Sequence, residues 1–358
     1  MEFVSIQNET QLLNWIDQFL ASDHSTMYNI SNDQSTRSKI VESAHQLARQ
    51  AYLERNQIAE ESLHQILETI YELEFSSAKI DRVDSDPLPI LHDICSILES
   101  AMINRELSKI DRKKLVKTIQ TSDEYESWFR QLLNTHNAAK HEYYEDFLPN
   151  RATTSDIRYL LAQETSLDPR FDDILALMQI GTQGREKMEI ASNYWDEMGN
   201  GDSTLVHTRL FSTALNSIEA NEDYISENQT HEAKVSGNIS AFLALRRRNY
   251  FKAVGYFGVT EYLAPRRFTS LVKAWENNGL PKEGIEYHKL HIKIDAIHGS
   301  AWIKNVIRPL VESSPEICID IAIGALIRLN SSEQYLDRLL TDCDKGKVDS
   351  LKEGEYAS

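Results

Sequence analysis

Three polar residues stand at helical spacing in one short stretch: His291, Asp295 and His298, within Tyr287–His298 (YHKLHIKIDAIH). Positions i, i+4 and i+7 stack along one face of an α-helix, so two imidazoles and a carboxylate converge there. Such a triplet is one side of a divalent-metal site. Leu290, Ile294, Ile297 and Ala301 form the adjoining stripe, which sets the triplet at or inside the edge of the core rather than in solvent. A metal needs further ligands, and the preceding stretch of chain offers four.

Each of the four falls where an acid or imidazole is costly unless it has a role. Glu164 shares the apolar stripe of Ile157 and Leu161; Glu197 follows Ile190 and Tyr194, whereas Asp196 lies with Glu189, Ser192 and Asn193 on the polar side. His207 lines up with Leu210, Phe211, Ala214 and Leu215, and Glu261 with Val254, Phe257 and Gly258. Taken singly, each has a plainer account: a carboxylate paired with Arg158 or Lys187, or a hydrogen-bonded core histidine. Together they call for a common compensating charge. Three histidines and four carboxylates suit two divalent ions of the iron or manganese kind, since a single zinc typically takes about four ligands, and no thiolate accompanies them.

Helices must position these groups. Only 13 Gly and 8 Pro punctuate 358 residues, and apolar residues recur three and four apart almost throughout, which reads as an all-α fold. Helices are expected over 9–21, 36–76, 88–104 and 122–147, then 154–164, 171–198, 203–218, 237–262, 267–278 and 282–313, with a final pair beyond Pro315. Pro149 ends one helix, and Thr153, Thr154 or Ser155 caps the next. Residues 81–89 read as a loop, Gly199–Asp202 as the sharpest break, and 346–358 as a polar tail. Residues 1–135 form a helical extension serving packing or dimerisation, its histidines (His24, His45, His64, His92) lacking ligand spacing. Residues 136–345 carry the chemistry.

Composition bounds the partners. With 41% hydrophobic residues the chain can build a sizeable core, and a net charge of −17 disfavours nucleic acid and anionic membranes. Cys95, Cys318 and Cys343 encode neither a disulfide framework nor a thiolate metal site. Without a signal-like start or a membrane-length apolar run, a cytoplasmic protein is expected.

The quoted residues, with their surroundings, resemble the ligand motifs of the haem-oxygenase-like diiron oxidases and oxygenases, the iron-containing redox enzymes. The likeness rests on Glu164, on Glu197 in Asn193–Gly201 (NYWDEMGNG), on His207 in Val206–Phe211 (VHTRLF), on Glu261 in Gly255–Tyr262 (GYFGVTEY), and on His291, Asp295 and His298. The order matches, as do the 54 positions from His207 to Glu261 and the 30 onward to His291, and the likeness spans about 136–313. It implies a helical bundle of haem-oxygenase fold without haem, holding two ferrous ions, with manganese as the alternative metal. One ion would sit among the Glu, His and Glu of the earlier helices and His298, the other among the remaining carboxylates and His291. It further implies dioxygen as co-substrate, a peroxo-diferric intermediate, and an external electron donor where the reaction calls for one. The substrate would be a small amine or amino acid undergoing N-oxygenation, desaturation or C–C cleavage. Oxidative decarboxylation of a fatty acid, which needs a long apolar tunnel, is the second reading, and a non-catalytic helical interaction protein the third. Lys293 and Arg246–Arg248 are the cations available for a substrate carboxylate; Tyr256, Phe257, Tyr262 and Trp195 flank the ligands.

Overall fold

The computed structural model describes residues 10–76, 88–111, 113, 115 and 121–345, and among them every regular element is helical. They divide into two units: residues up to Lys109 together with Gly237–Phe242, and the remainder from Ile110 onward.

In the first unit, helices α1 (Gln11–Leu20), α2 (His24–Asn32), α3 (Gln34–Tyr52), α4 (Gln57–Phe75) and α5 (Pro89–Ser108) follow in order. Side chains start three of them: Asp23 accepts from the Thr26 amide, Asp33 from Thr36 and Asn56 from Ala59, each satisfying an amide the first turn leaves bare. Ile16, Phe19, Ile40, Leu63, Ile66 and Leu98 are fully buried, and α3 packs on α4 and α5. The single helix expected over 36–76 is two. Arg55 takes a left-handed φ of 56°, and Asn56 beside it caps a new helix. The apolar period runs across this break because both helices face one core.

The second unit contains α6 (Ser122–Thr135), α7 (Leu148–Arg151), α8 (Thr154–Glu164), α9 (Phe171–Met178), α10 (Gly184–Glu197), α11 (His207–Ser217), α12 (Glu222–Asn228), α13 (His231–Leu245), α14 (Tyr250–Asn277), α15 (Glu286–Trp302), α16 (Arg308–Ser313) and α17 (Cys318–Asp344). The middle of α13, Gly237–Phe242, counts with the first unit. Of the three expected caps it is Thr153 that starts α8, through a reciprocal capping box with Asp156. Helix α14 packs most extensively on α15 and α17. Gly255 and Gly324 permit the second crossing: a Cβ on Gly255 would lie 1.9 Å from the Ile321 carbonyl oxygen, and one on Gly324 1.8 Å from that of Lys252.

Several expected boundaries shift. The helix expected over 122–147 ends at Thr135, and a π-helical turn at Tyr143–Phe147 leads into α7. The helix expected over 171–198 breaks near Gly181, whose φ is +79°, and α11 begins at His207 rather than 203. The break expected between 262 and 267 does not occur, because α14 runs through Pro265. The proline only deprives the Glu261 carbonyl of its usual i+4 donor. The helix expected over 282–313 comprises α15, a π-helical turn at Ile303–Ile307 and α16, and the expected final pair is the single helix α17. Residues 1–9, 81–87 and 346–358, on which the helix start, loop and tail expectations fall, lie outside the described residues.

Candidate metal centre

Four helices of the second unit bring six of the seven expected residues into two buried groups. Glu197 is the last residue of α10, His207 the first of α11, Glu261 sits mid-α14, and α15 supplies His291, Asp295 and His298. In one group, ligand atoms of Glu197, His207 and His291 lie within 4.8 Å of one another; in the other, those of Glu261, Asp295 and His298 do so. All six are buried. Glu197 Oε2 is 2.7 Å from His207 Nδ1, and its Oε1 is 3.6 Å from His291 Nε2. His298 Nδ1 is 3.8 Å from Glu261 Oε2.

The grouping departs from the one implied by resemblance. His291 joins Glu197 and His207, while His298 joins Glu261 and Asp295. The cause lies in what the other ring nitrogens do. His291 Nδ1 is 2.9 Å from the carbonyl oxygen of Tyr287, one turn back, so its N–H donates there and Nε2 turns to Glu197. His298 Nε2 lies 2.8 Å from Asp196 Oδ2, leaving Nδ1 toward Glu261. Carbonyl or carboxylate support on one ring nitrogen is the usual arrangement of a metal-ligating histidine. Asp196, on the polar side of α10 by sequence, is therefore a partner of the site.

Glu164 is not brought into either group. Its Oε2 faces His288 Nε2 at 3.5 Å. His288 and Asp168 were not singled out by the sequence reading, though signals existed: His288 sits three residues before His291, and Asp168 four after Glu164. Lys293 is exposed, and the Arg247 guanidinium stacks over Tyr250. Trp195 is about half exposed, while Tyr256 and Phe257 are wholly buried in the core.

The electrostatics suit a cation. Burial would raise the Glu197 carboxyl, but His207 and His291 hold it down at about 2. Burial would lower His291, yet Asp295 and Glu197 lift it to about 10. Burial raises Asp295 to about 7 even with His291 opposing it; burial, then Asp295 and Glu197, raise Glu261 well above the ordinary carboxylate range. Three acids thus share a space with too little positive charge. His207 Nδ1 lies 2.7 Å from Glu197 Oε2 without an aligned hydrogen bond, as a nitrogen and a carboxylate lone pair sit when they face a common ion. Carboxylate oxygens with imidazole nitrogens, and no cysteine in either group, match iron or manganese rather than a thiolate-bound metal. The residues fit such a group.

One cavity adjoins the triads, and a second shares part of its wall. The inner one, about 330 Å³, is lined by Glu261, His291 and Asp295 together with Phe171, Ala264 and Tyr287. The outer one, about 680 Å³ with space open to solvent included, is lined in part by Tyr144, Glu164, Arg328 and Tyr335. Leu167, Asp168, Thr260, Arg267 and Phe268 border both.

A family model described as an iron-containing redox enzyme, of the haem-oxygenase-like group, matches residues 158–333, a span that holds both triads and Glu164. No curated protein matches the chain, and no described helix is long and apolar enough to cross a membrane. Residues 158–333, all-α and carrying the paired carboxylate–imidazole groups, match the haem-oxygenase-like family of iron-containing redox enzymes.

Proposed function

We propose that the protein is a non-haem diiron enzyme that uses dioxygen to oxidise a small amine or amino acid by N-oxygenation, desaturation or C–C cleavage. The observation that carries this reading is the pair of buried triads, Glu197–His207–His291 and Glu261–Asp295–His298, set side by side on α15. Each would hold one ferrous ion. Two such ions, when bound, supply the reduction of dioxygen that no side chain can perform. Glu164, outside both groups, is assigned to the substrate side of the site.

The chain's own work is positioning and proton control. Tyr287 and Asp196 fix the two α15 imidazoles through their outer nitrogens, so the inner nitrogens stay free to ligate. Phe171, Ala264 and Phe268 wall the inner cavity and exclude water from the reacting atoms. Asp168, which burial and then Glu164 raise to about 7, borders both cavities and can hold or release a proton near neutrality.

Fatty-acid decarboxylation is the weaker reading, since the outer cavity carries Glu164, Asp168, Arg267 and Arg328 where an alkyl tail would need apolar walls. The deciding experiment is anaerobic titration with ferrous ions followed by exposure to dioxygen. Two equivalents of iron per chain and oxygen uptake are expected. Failure to take up stoichiometric iron refutes the diiron reading.

A further inference from the structure

Five polar atoms bordering the outer cavity are buried and lack a hydrogen-bond partner: the hydroxyls of Tyr144 and Tyr335, Glu164 Oε2, Asp168 Oδ2 and Arg267 Nε. One such atom can be a local accident. Five around one cavity are costly together, since each unmade buried hydrogen bond costs about 1–3 kcal/mol.

The chemistry of the five is mixed in sign. Arg267 offers a guanidinium whose Nε has no hydrogen-bond partner, and Glu164 and Asp168 each offer a carboxylate with one oxygen unpartnered. A simple amine satisfies the acids and strands the arginine. A fatty acid satisfies the arginine and strands both acids. A molecule with a carboxylate a few bonds from an ammonium satisfies both, and the phenols of Tyr144 and Tyr335 can bond either end. Arg267, Asp168 and Phe268 also border the inner cavity, so a ligand held here reaches toward the triads.

The geometry points to the outer cavity as the recognition site for a free zwitterionic amino acid, with Arg267 binding its carboxylate and Glu164 and Asp168 its ammonium. This rests on the diiron reading only in taking the cavity beside the triads as the substrate's. Arg267 and Glu164 are then specificity determinants rather than metal-binding groups. A ligand lacking either charge leaves a buried group unpaired, the situation in which polar sites discriminate most strongly.

The test is ligand-observed NMR and thermal shift on the full chain, with and without ferrous ions under anaerobic conditions. The probes are the free proteinogenic amino acids singly, then the methyl ester and the decarboxylated amine of any that bind, and dodecanoate. At least one free amino acid should bind, its ester and amine at least tenfold more weakly, and dodecanoate not at all. Arg267→Leu should weaken that amino acid at least tenfold, and Glu164→Gln should weaken it while the decarboxylated amine loses what affinity it had. Because Arg267→Leu leaves two acids without their cation and can fail to fold, Arg267→Lys is the second variant: it keeps the charge, loses the fork, and should weaken the free acid but not its ester. Ester and acid binding alike, dodecanoate binding instead, or no amino acid binding to a chain that takes up two irons would overturn the inference and leave the diiron reading standing. Amino-acid binding to a chain that takes up no iron would sink the diiron reading and leave the inference.

Discussion

Gly299 follows His298 on α15 and faces the backbone of α14 beside Glu261, so its replacement by alanine tests whether helix spacing sets the metal centre. A Cβ there would lie 2.7 Å from Tyr262 Cα, 3.0 Å from its nitrogen and 3.1 Å from the Glu261 carbonyl oxygen. Carbon contacts become favourable at about 3.5 Å, so the two helices must part by roughly 0.8 Å, and backbone atoms cannot swing aside as a side chain would. Alanine gains about 1 kcal/mol of helix propensity against about 1–3 kcal/mol of overpacking. The net loss is on the order of 1 kcal/mol, or a fall of roughly 2–4 °C in Tm for a unit of this size. The larger effect falls on the site, because Glu261 and His298 come from the two helices being parted. Metal affinity at their triad should drop about tenfold or more, comparable to losing an outer-shell partner, while Glu197–His207–His291 keeps its ion. Gly279→Ala is the control: its φ is +65° and nothing lies within 4 Å, so it costs about 1–2 kcal/mol of backbone strain far from the ligands. Anaerobic ferrous titration should then give one tight and one weak equivalent for Gly299→Ala and two tight equivalents for Gly279→Ala. Two tight equivalents in Gly299→Ala, or a matching loss in Gly279→Ala, would refute the reasoning.

Other perturbations follow from the same charges. Glu261→Gln should raise the melting temperature of the metal-free protein near neutral pH, because it removes a carboxylate that burial, Asp295 and Glu197 all disfavour, while iron uptake falls from two equivalents to one. Asp196→Asn should leave the fold intact and weaken iron at the Glu261 triad about 10–100-fold, since His298 Nε2 loses its carboxylate; unchanged affinity would remove Asp196 from the site. Asp295, Glu164 and Asp168 sit near 7 in the folded chain and near 4 unfolded, so between about pH 4 and 7 the folded state holds the more protons. Their contribution therefore declines as pH rises through that window. His291, lifted to about 10, contributes stability that is full below about 6.5 and is lost by about 10. Melting curves of the metal-free protein should accordingly fall from pH 5 to 9. With ferrous ions the trend should reverse up to about pH 7, because ligation draws on the deprotonated carboxylates.

The helical class was legible because its signal is carried by every turn, and the six clustered residues because a charged group on an apolar stripe is visible without coordinates. What the sequence hid is of two kinds. Breaks such as Arg55 and continuities such as Pro265 were misplaced because the hydrophobic period records which face meets the core; it does not record whether the backbone stays helical between two segments that meet the same core. The site's outer partners were hidden for a different reason. Asp196 lies on the polar side of α10, where an exposed acid and an acid holding His298 look alike, and Arg267 sits beside exposed Arg266 in a stretch with no unusual spacing. Glu164 shows the converse. Its place on the apolar stripe of α8 marks an acid whose Oε2 is buried, but burial alone cannot say whether the compensating charge is a metal, His288 or Arg267. Periodicity finds the groups that must be paid for; only their mutual distances assign the partner, and here they divide seven candidates into two triads and one acid that lines the neighbouring cavity.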